Sequence, residues 1–139
     1  MPFDIGFFKS LLGEYERQVA KVKGKDILLV MGGTGAGKST TIQYLCGSIM
    51  ENQLIITKHG PLKHIGVAEG GTSKYCSKEE LAQVAMSAKA VSCTQYISVI
   101  TVNNVLEDGE EEVFHICDSP GTGDTRGPEL DVANIYGIV

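Results

Sequence analysis

The stretch Asp26–Leu45, DILLVMGGTGAGKSTTIQYL, decides how this chain folds. Its first apolar run, Ile27–Met31, is β-branched or aliphatic throughout and predicts a strand buried on both faces. The run ends in Gly32-Gly33-Thr34-Gly35-Ala36-Gly37-Lys38-Ser39, which matches the phosphate-binding spacing G-x-x-x-x-G-K-[ST] residue for residue. Beyond it Ile42 and Leu45 share one face of a helix, with Gly47 as its stop. A strand before the glycines and a helix after them are the context this spacing requires; without them the same residues would only be a turn.

Each residue type in the loop has a physical task. Small residues let the backbone wrap a phosphate closely, and glycines accept the positive φ that such a wrap needs. Successive N–H groups form an anion-binding nest at a helix N-terminus, where the helix dipole also favours negative charge. Lys38 supplies a point charge for the β- and γ-phosphates, and the Ser39 hydroxyl is a ligand for Mg²⁺.

The whole chain narrows the classes. With 139 residues it is one domain at most. A hydrophobic fraction of 42% and a charged fraction of 21% are those of a soluble globular protein. The net charge of -5 argues against a nucleic-acid binder or a general binder of acidic membranes. Cys46, Cys76, Cys93 and Cys117 show no C-x-x-C spacing, so neither a zinc site nor a redox pair is expected, and reduced thiols in the cytoplasm are the default. No signal peptide, myristoylation pattern or membrane-length apolar run is present.

Toward the N-terminus, Phe8, Leu11, Leu12, Tyr15, Val19 and Val22 recur at helical spacing and predict an amphipathic leader helix that Gly24 ends. Its apolar face either packs on its own domain or docks on a partner or a membrane surface, where Phe3, Ile5, Phe7 and Phe8 would form the tip. Toward the C-terminus, Glu51–Val91 has no single period. Leu54–Thr57 reads as a short strand closed by His59-Gly60-Pro61, and Gly66–Tyr75 as a mobile glycine-rich segment. Ser77-Lys78-Glu79-Glu80 has capping-box spacing, continued as a helix by Leu81, Val84, Ala85 and Ala88. His59, His64 and His115 are not at metal-ligand spacing.

Tyr96–Val102 and Val113–Cys117 are β-rich, and Glu107-Asp108-Gly109-Glu110 between them predicts an antiparallel hairpin with a solvated acidic tip. The second strand runs into Asp118-Ser119-Pro120-Gly121-Thr122-Gly123-Asp124. A carboxylate at a strand end can hold Mg²⁺ through water, and the N–H of a glycine three residues on can meet a γ-phosphate. D-x-x-G alone is weak; downstream of a phosphate loop and a hairpin it is strong.

With GGTGAGKST at Gly32–Thr40 and DSPGTGD at Asp118–Asp124, the chain resembles GTP-binding domains of the translation-factor-related class, and within it septins and immunity-associated GTPases. The resemblance implies a three-layer α/β P-loop NTPase fold of the G-domain kind over residues 25–139, behind a leader helix at 1–24. It implies GTP contacts from Gly32, Gly33, Thr34, Gly35, Ala36, Gly37, Lys38, Ser39, Thr40 and Gly121, and Mg²⁺ held by Ser39, Thr94 and Asp118. Thr72 is the runner-up to Thr94, and an ordinary strand-edge threonine is the third alternative. Such domains hydrolyse GTP and switch loops that recruit effectors or a second copy of themselves. The N/T-K-x-D stretch that reads guanine has no counterpart; Asn103 and Asn104 do not supply it. The chain therefore reads as C-terminally incomplete, stopping after Gly127-Pro128-Glu129-Leu130 opens a switch II helix and leaving Ile27–Met31 with an unpaired edge. Two further readings stand beside GTP hydrolysis: an ATP-using P-loop NTPase or kinase, and a non-catalytic interaction module that keeps the phosphate loop.

Overall fold

Short-range chemistry sets most of the elements. Asp4 accepts a hydrogen bond from the Phe7 N–H and caps α1, Ile5–Ala20. After β1, Ile27–Val30, and the glycine loop comes α2, Lys38–Leu45, which stops at Gly47 as expected. Ser77 accepts from the Glu80 N–H at 3.1 Å and starts the short α3, Lys78–Ala82. The Glu80 carboxylate does not return to Ser77; it takes the Thr101 N–H at 2.9 Å and ties α3 to the sheet. Pro128 opens α4, Pro128–Ile138, with Glu129 and Asp131 in its first turn, where the dipole favours them. The computed structural model describes residues 2–84, 97–121 and 127–138.

The long middle region is more regular than its sequence suggests. Met50–Thr57 (β2) and Gly60–Val67 (β3) pair antiparallel over their whole length as a separate two-stranded sheet. Gly66, expected in a mobile segment, is buried inside β3, and Gly71 exchanges backbone hydrogen bonds with Ile49 and Ala68. The strand expected at Leu54–Thr57 is the end of β2, while polar and β-branched residues mixed without alternation concealed the hairpin's full extent. The second hairpin forms as predicted: β4, Ser98–Val105, pairs antiparallel with β5, Glu111–Asp118.

β5 also pairs with β1, in parallel, from Ile27↔His115 to Val30↔Asp118. The sheet order is β1-β5-β4, so β1 lies at an edge. Ile27 is 46% exposed and Leu28 50%, which overturns the expectation of a strand buried on both faces. The described residues put no strand on its outer side, and only Leu29 and Val30 reach the clusters on the two faces.

Helices cover both faces of this mixed sheet. On one, Leu11, Tyr15 and Val22 pack with Leu130 and Ala133 of α4 against Ile97, Val99 and Cys117. The leader helix thus packs on its own domain, and the Asp4 N–H donates to Glu129 Oε1 at 2.6 Å to fix its start; Phe3, Ile5 and Phe7 stay exposed. On the other face Ile42, Cys46, Cys76, Leu81 and Val84 pack against Ile100, Val102 and Ile116. Leu45, expected beside Ile42, is exposed, and Cys46 takes that place one turn on. Gln43 Nε2 donates to the Leu81 and Val84 carbonyls and holds α3 against α2. The chain is thus a small α/β protein, and none of its described helices is long and apolar enough to cross a membrane.

Candidate functional site

The parallel pairing of β1 and β5 brings the two glycine-bearing segments side by side. Ser119 continues the ladder beyond Asp118: its N–H and its hydroxyl both donate to the Val30 carbonyl, the latter at 2.7 Å. Both chains then leave the sheet at the same end, one into Gly32–Gly37 and the other into Pro120–Gly121. Ser119 was not among the predicted site residues; its only signal was its place inside D-x-x-G.

Gly37 occupies the N-cap of α2 at φ +82°, in the left-handed region that a residue with a Cβ enters only at a cost. That conformation starts the helix at Lys38 and leaves its first N–H groups facing the loop. The Lys38 ammonium folds back over the loop, donating to the carbonyls of Gly32 at 2.9 Å and Gly33 at 3.0 Å. Thr34 is half-buried, and its hydroxyl has no hydrogen-bond partner among the described residues. Thr40, half-buried, follows in the first turn of α2.

Ser39 Oγ donates to Asp118 Oδ2 at 3.1 Å, joining residues 79 apart in sequence. Asp118 is fully buried, a position a carboxylate holds only with partners or a cation. A hydroxyl and a carboxylate oxygen at that separation are hard donors of the kind Mg²⁺ takes. Among the described residues no group of three or more His, Cys, Asp or Glu side chains is placed to hold a metal ion. A cation here would fill its shell with water and phosphate oxygens, which is how Mg²⁺ is commonly bound.

Gly121 closes the site from the β5 side. A Cβ on it would lie 2.4 Å from Thr34 Oγ1 and 2.7 Å from the Thr34 Cα and N. Only a glycine permits this approach. Of the threonines proposed as a metal ligand, Thr94 lies outside the described residues. Thr72 is exposed and sits between Gly71, bonded to Ile49, and Ser73, which packs near Gly47. That is the C-terminal end of α2, about 12 Å along the helix from Ser39 at its start, so Thr72 is not brought to the site.

The thiols of Cys46, Cys76 and Cys117 are buried. Burial pushes Cys46 up to about 12, helped by the Cys76 thiol beside it, and raises Cys76 and Cys117 as well. No protein-family model, curated relative or solved structure matches the chain. The site's own geometry therefore carries the functional reading.

Proposed function

We propose that this chain binds GTP with Mg²⁺ at the Gly32–Thr40 loop and hydrolyses its β–γ phosphoanhydride bond, on a P-loop fold of the G-domain kind. The observation that carries the reading is the Ser39–Asp118 contact of 3.1 Å at the mouth of the glycine loop. A hydroxyl at the start of a helix and a carboxylate at the end of the neighbouring parallel strand are the pair a nucleotide-bound Mg²⁺ requires. Sequence spacing alone does not bring residues that far apart together.

In this reading the N–H groups of Gly33–Lys38 bind phosphate oxygens. The Lys38 ammonium exchanges the Gly32 and Gly33 carbonyls for β- and γ-phosphate oxygens. Ser39 and Asp118 hold Mg²⁺, which neutralises the charge on the phosphates when bound. The Gly121 N–H orients the γ-phosphate for attack by water, yielding GDP and phosphate.

Lys38→Ala should weaken GTP by about 2–3 kcal/mol, or about 30- to 150-fold in Kd. Ser39→Ala should chiefly remove the Mg²⁺ dependence. Both are read by titration with a fluorescent GTP analogue, and equal affinity of wild type and Lys38→Ala would refute the assignment. Unlabelled ATP should compete about as well as GTP, because the chain holds no counterpart of the guanine-reading stretch; a strong preference for GTP would show that other residues read the base.

A further inference from the structure

The β2–β3 hairpin is a two-stranded sheet of its own, and among the described residues nothing covers one of its faces. The register puts Asn52, Leu54 and Ile56 on that face, opposite Ile65, Lys63 and Pro61. Leu54 is 64% exposed and Ile56 76%, with Pro61, Lys63 and Ile65 exposed around them. On the opposite face Gln53, Ile55 and His64 are half-buried and Gly66 is buried. An isolated hairpin is marginal without a further partner, and a contiguous apolar patch on a small protein marks an interaction surface.

A surface that fits it lies on the same molecule, at the end of the sheet away from the phosphate loop. Val105 stands opposite Glu111 across the β4–β5 ladder, and Val113 lies on the same face two residues along. Both valines are more than half exposed. Glu107, Asp108, Glu110, Glu111 and Glu112 lie between them with no Lys or Arg, whereas Thr57–Ile65 holds Lys58 and Lys63 and no carboxylate. In each patch an apolar residue faces a charged one across the ladder, Leu54 opposite Lys63 and Val105 opposite Glu111, with the signs of the charges reversed. Among the described residues no ion pair joins the arm to this tip within one chain.

We propose that the β2–β3 arm docks on the β4–β5 tip of a second copy of this chain. Lys58 and Lys63 meet the acidic turn, while Leu54, Ile56 and Ile65 cover Val105 and Val113. An unrelated acidic protein would satisfy the arm but leave the tip's valines in water; a second copy satisfies both. The chain's net charge of -5 opposes contact elsewhere, so opposite sign selects this pairing. Because two different patches meet, the contact closes reciprocally into a pair or repeats along a chain of copies.

Sedimentation velocity of the whole chain tests this. Mass above the monomer is expected at about 50 mM salt and a return toward monomer at about 500 mM, where screening is short-ranged. Lys58→Glu with Lys63→Glu, and separately Glu110→Lys with Glu111→Lys, should each weaken self-association at least about tenfold. An equimolar mixture of the two variants should restore it, because each reversed patch then meets its opposite. A monomer at every salt and concentration would overturn the proposal. So would association indifferent to both reversals, which would assign the contact to another surface such as the β1 edge. The salt response of the wild type decides even where a variant fails to fold.

Discussion

Replacing Gly121 with alanine probes the contact on which the candidate site closes. The added Cβ would stand 2.4 Å from Thr34 Oγ1 and 2.7 Å from two Thr34 backbone atoms. To reach the 3.4 Å of ordinary contact, the two segments must part by about 0.7 Å. A side chain can rotate away, but here two of the three obstructing atoms are backbone. The shift therefore passes into the Gly32–Gly37 loop and the Asp118–Ser119 end of β5. Overpacking of this kind costs about 1–3 kcal/mol, a fall in Tm of about 3–10 °C for a chain of this length. Thermal unfolding followed by circular dichroism reads it directly. Adding Thr34→Ala removes only the hydroxyl contact, so the double variant should recover part of the loss and not all of it. A wild-type Tm for Gly121→Ala, or complete rescue by Thr34→Ala, would show that the loop backbones do not meet as described.

Three other predictions concern burial and turnover. Thr34→Val, which removes a buried hydroxyl with no partner among the described residues, should raise unfolding free energy by about 1 kcal/mol in urea titration; a loss of stability would contradict the packing. Cys46 ionises only near 12 when folded but near its ordinary 9.0 when unfolded, and Cys76, Cys117 and Tyr15 are likewise raised by burial. Their contribution is fully present below pH 9 and is lost as pH rises toward 12, so Tm should fall across that window, and Cys46→Ala should flatten the fall. If the proposed hydrolysis is right, intrinsic GTP turnover should be slow, because the position after Gly121 is Thr122, too short to orient water as a glutamine does. Arg126 reads either as a surface residue or as an arginine that donates charge across a dimer. Faster turnover at higher protein concentration, abolished by Arg126→Ala, would point to the second, and a fast rate independent of concentration would refute the expectation.

Where the sequence carried a strong local signal, the structure follows it. Ser77 caps α3 as its spacing predicts, because its side chain reaches an N–H three residues on, a rule that needs no tertiary information. The β4–β5 hairpin follows from two β-rich runs around an acidic glycine turn. The placement of Asp118 beside Ser39 was legible too, since a strand ending in Asp after a phosphate loop has few places to go. What was not legible depends on neighbours distant in sequence. The open edge of β1 was expected, but the neighbours it lacks also leave Ile27 and Leu28 about half exposed where the sequence reads them as core. Cys46 and Cys76 are far apart in the chain, and their side-by-side thiols follow from how α2 and α3 pack. Buried Gln18 and Gln43 were invisible because their polar groups are satisfied by partners, Glu14 and Lys21 for one and the Leu81 and Val84 carbonyls with the Ser48 hydroxyl for the other. Thr94, Thr122, Asp124 and Arg126 lie outside the described residues.

The bond from Ser119 to Val30 spans 89 positions, and it has a consequence for the order of folding. The two hairpins close over short loops and can form within microseconds of being available. The β1–β5 ladder must instead wait until nearly the whole described chain exists, and must bear the entropy of closing a long loop before any bond rewards it. On a ribosome, the glycine loop would emerge early and remain shapeless until β5 arrives beside it. The loop's geometry is thus a late product of folding, and a ligand that recognises it would report, by binding, that the sheet is complete.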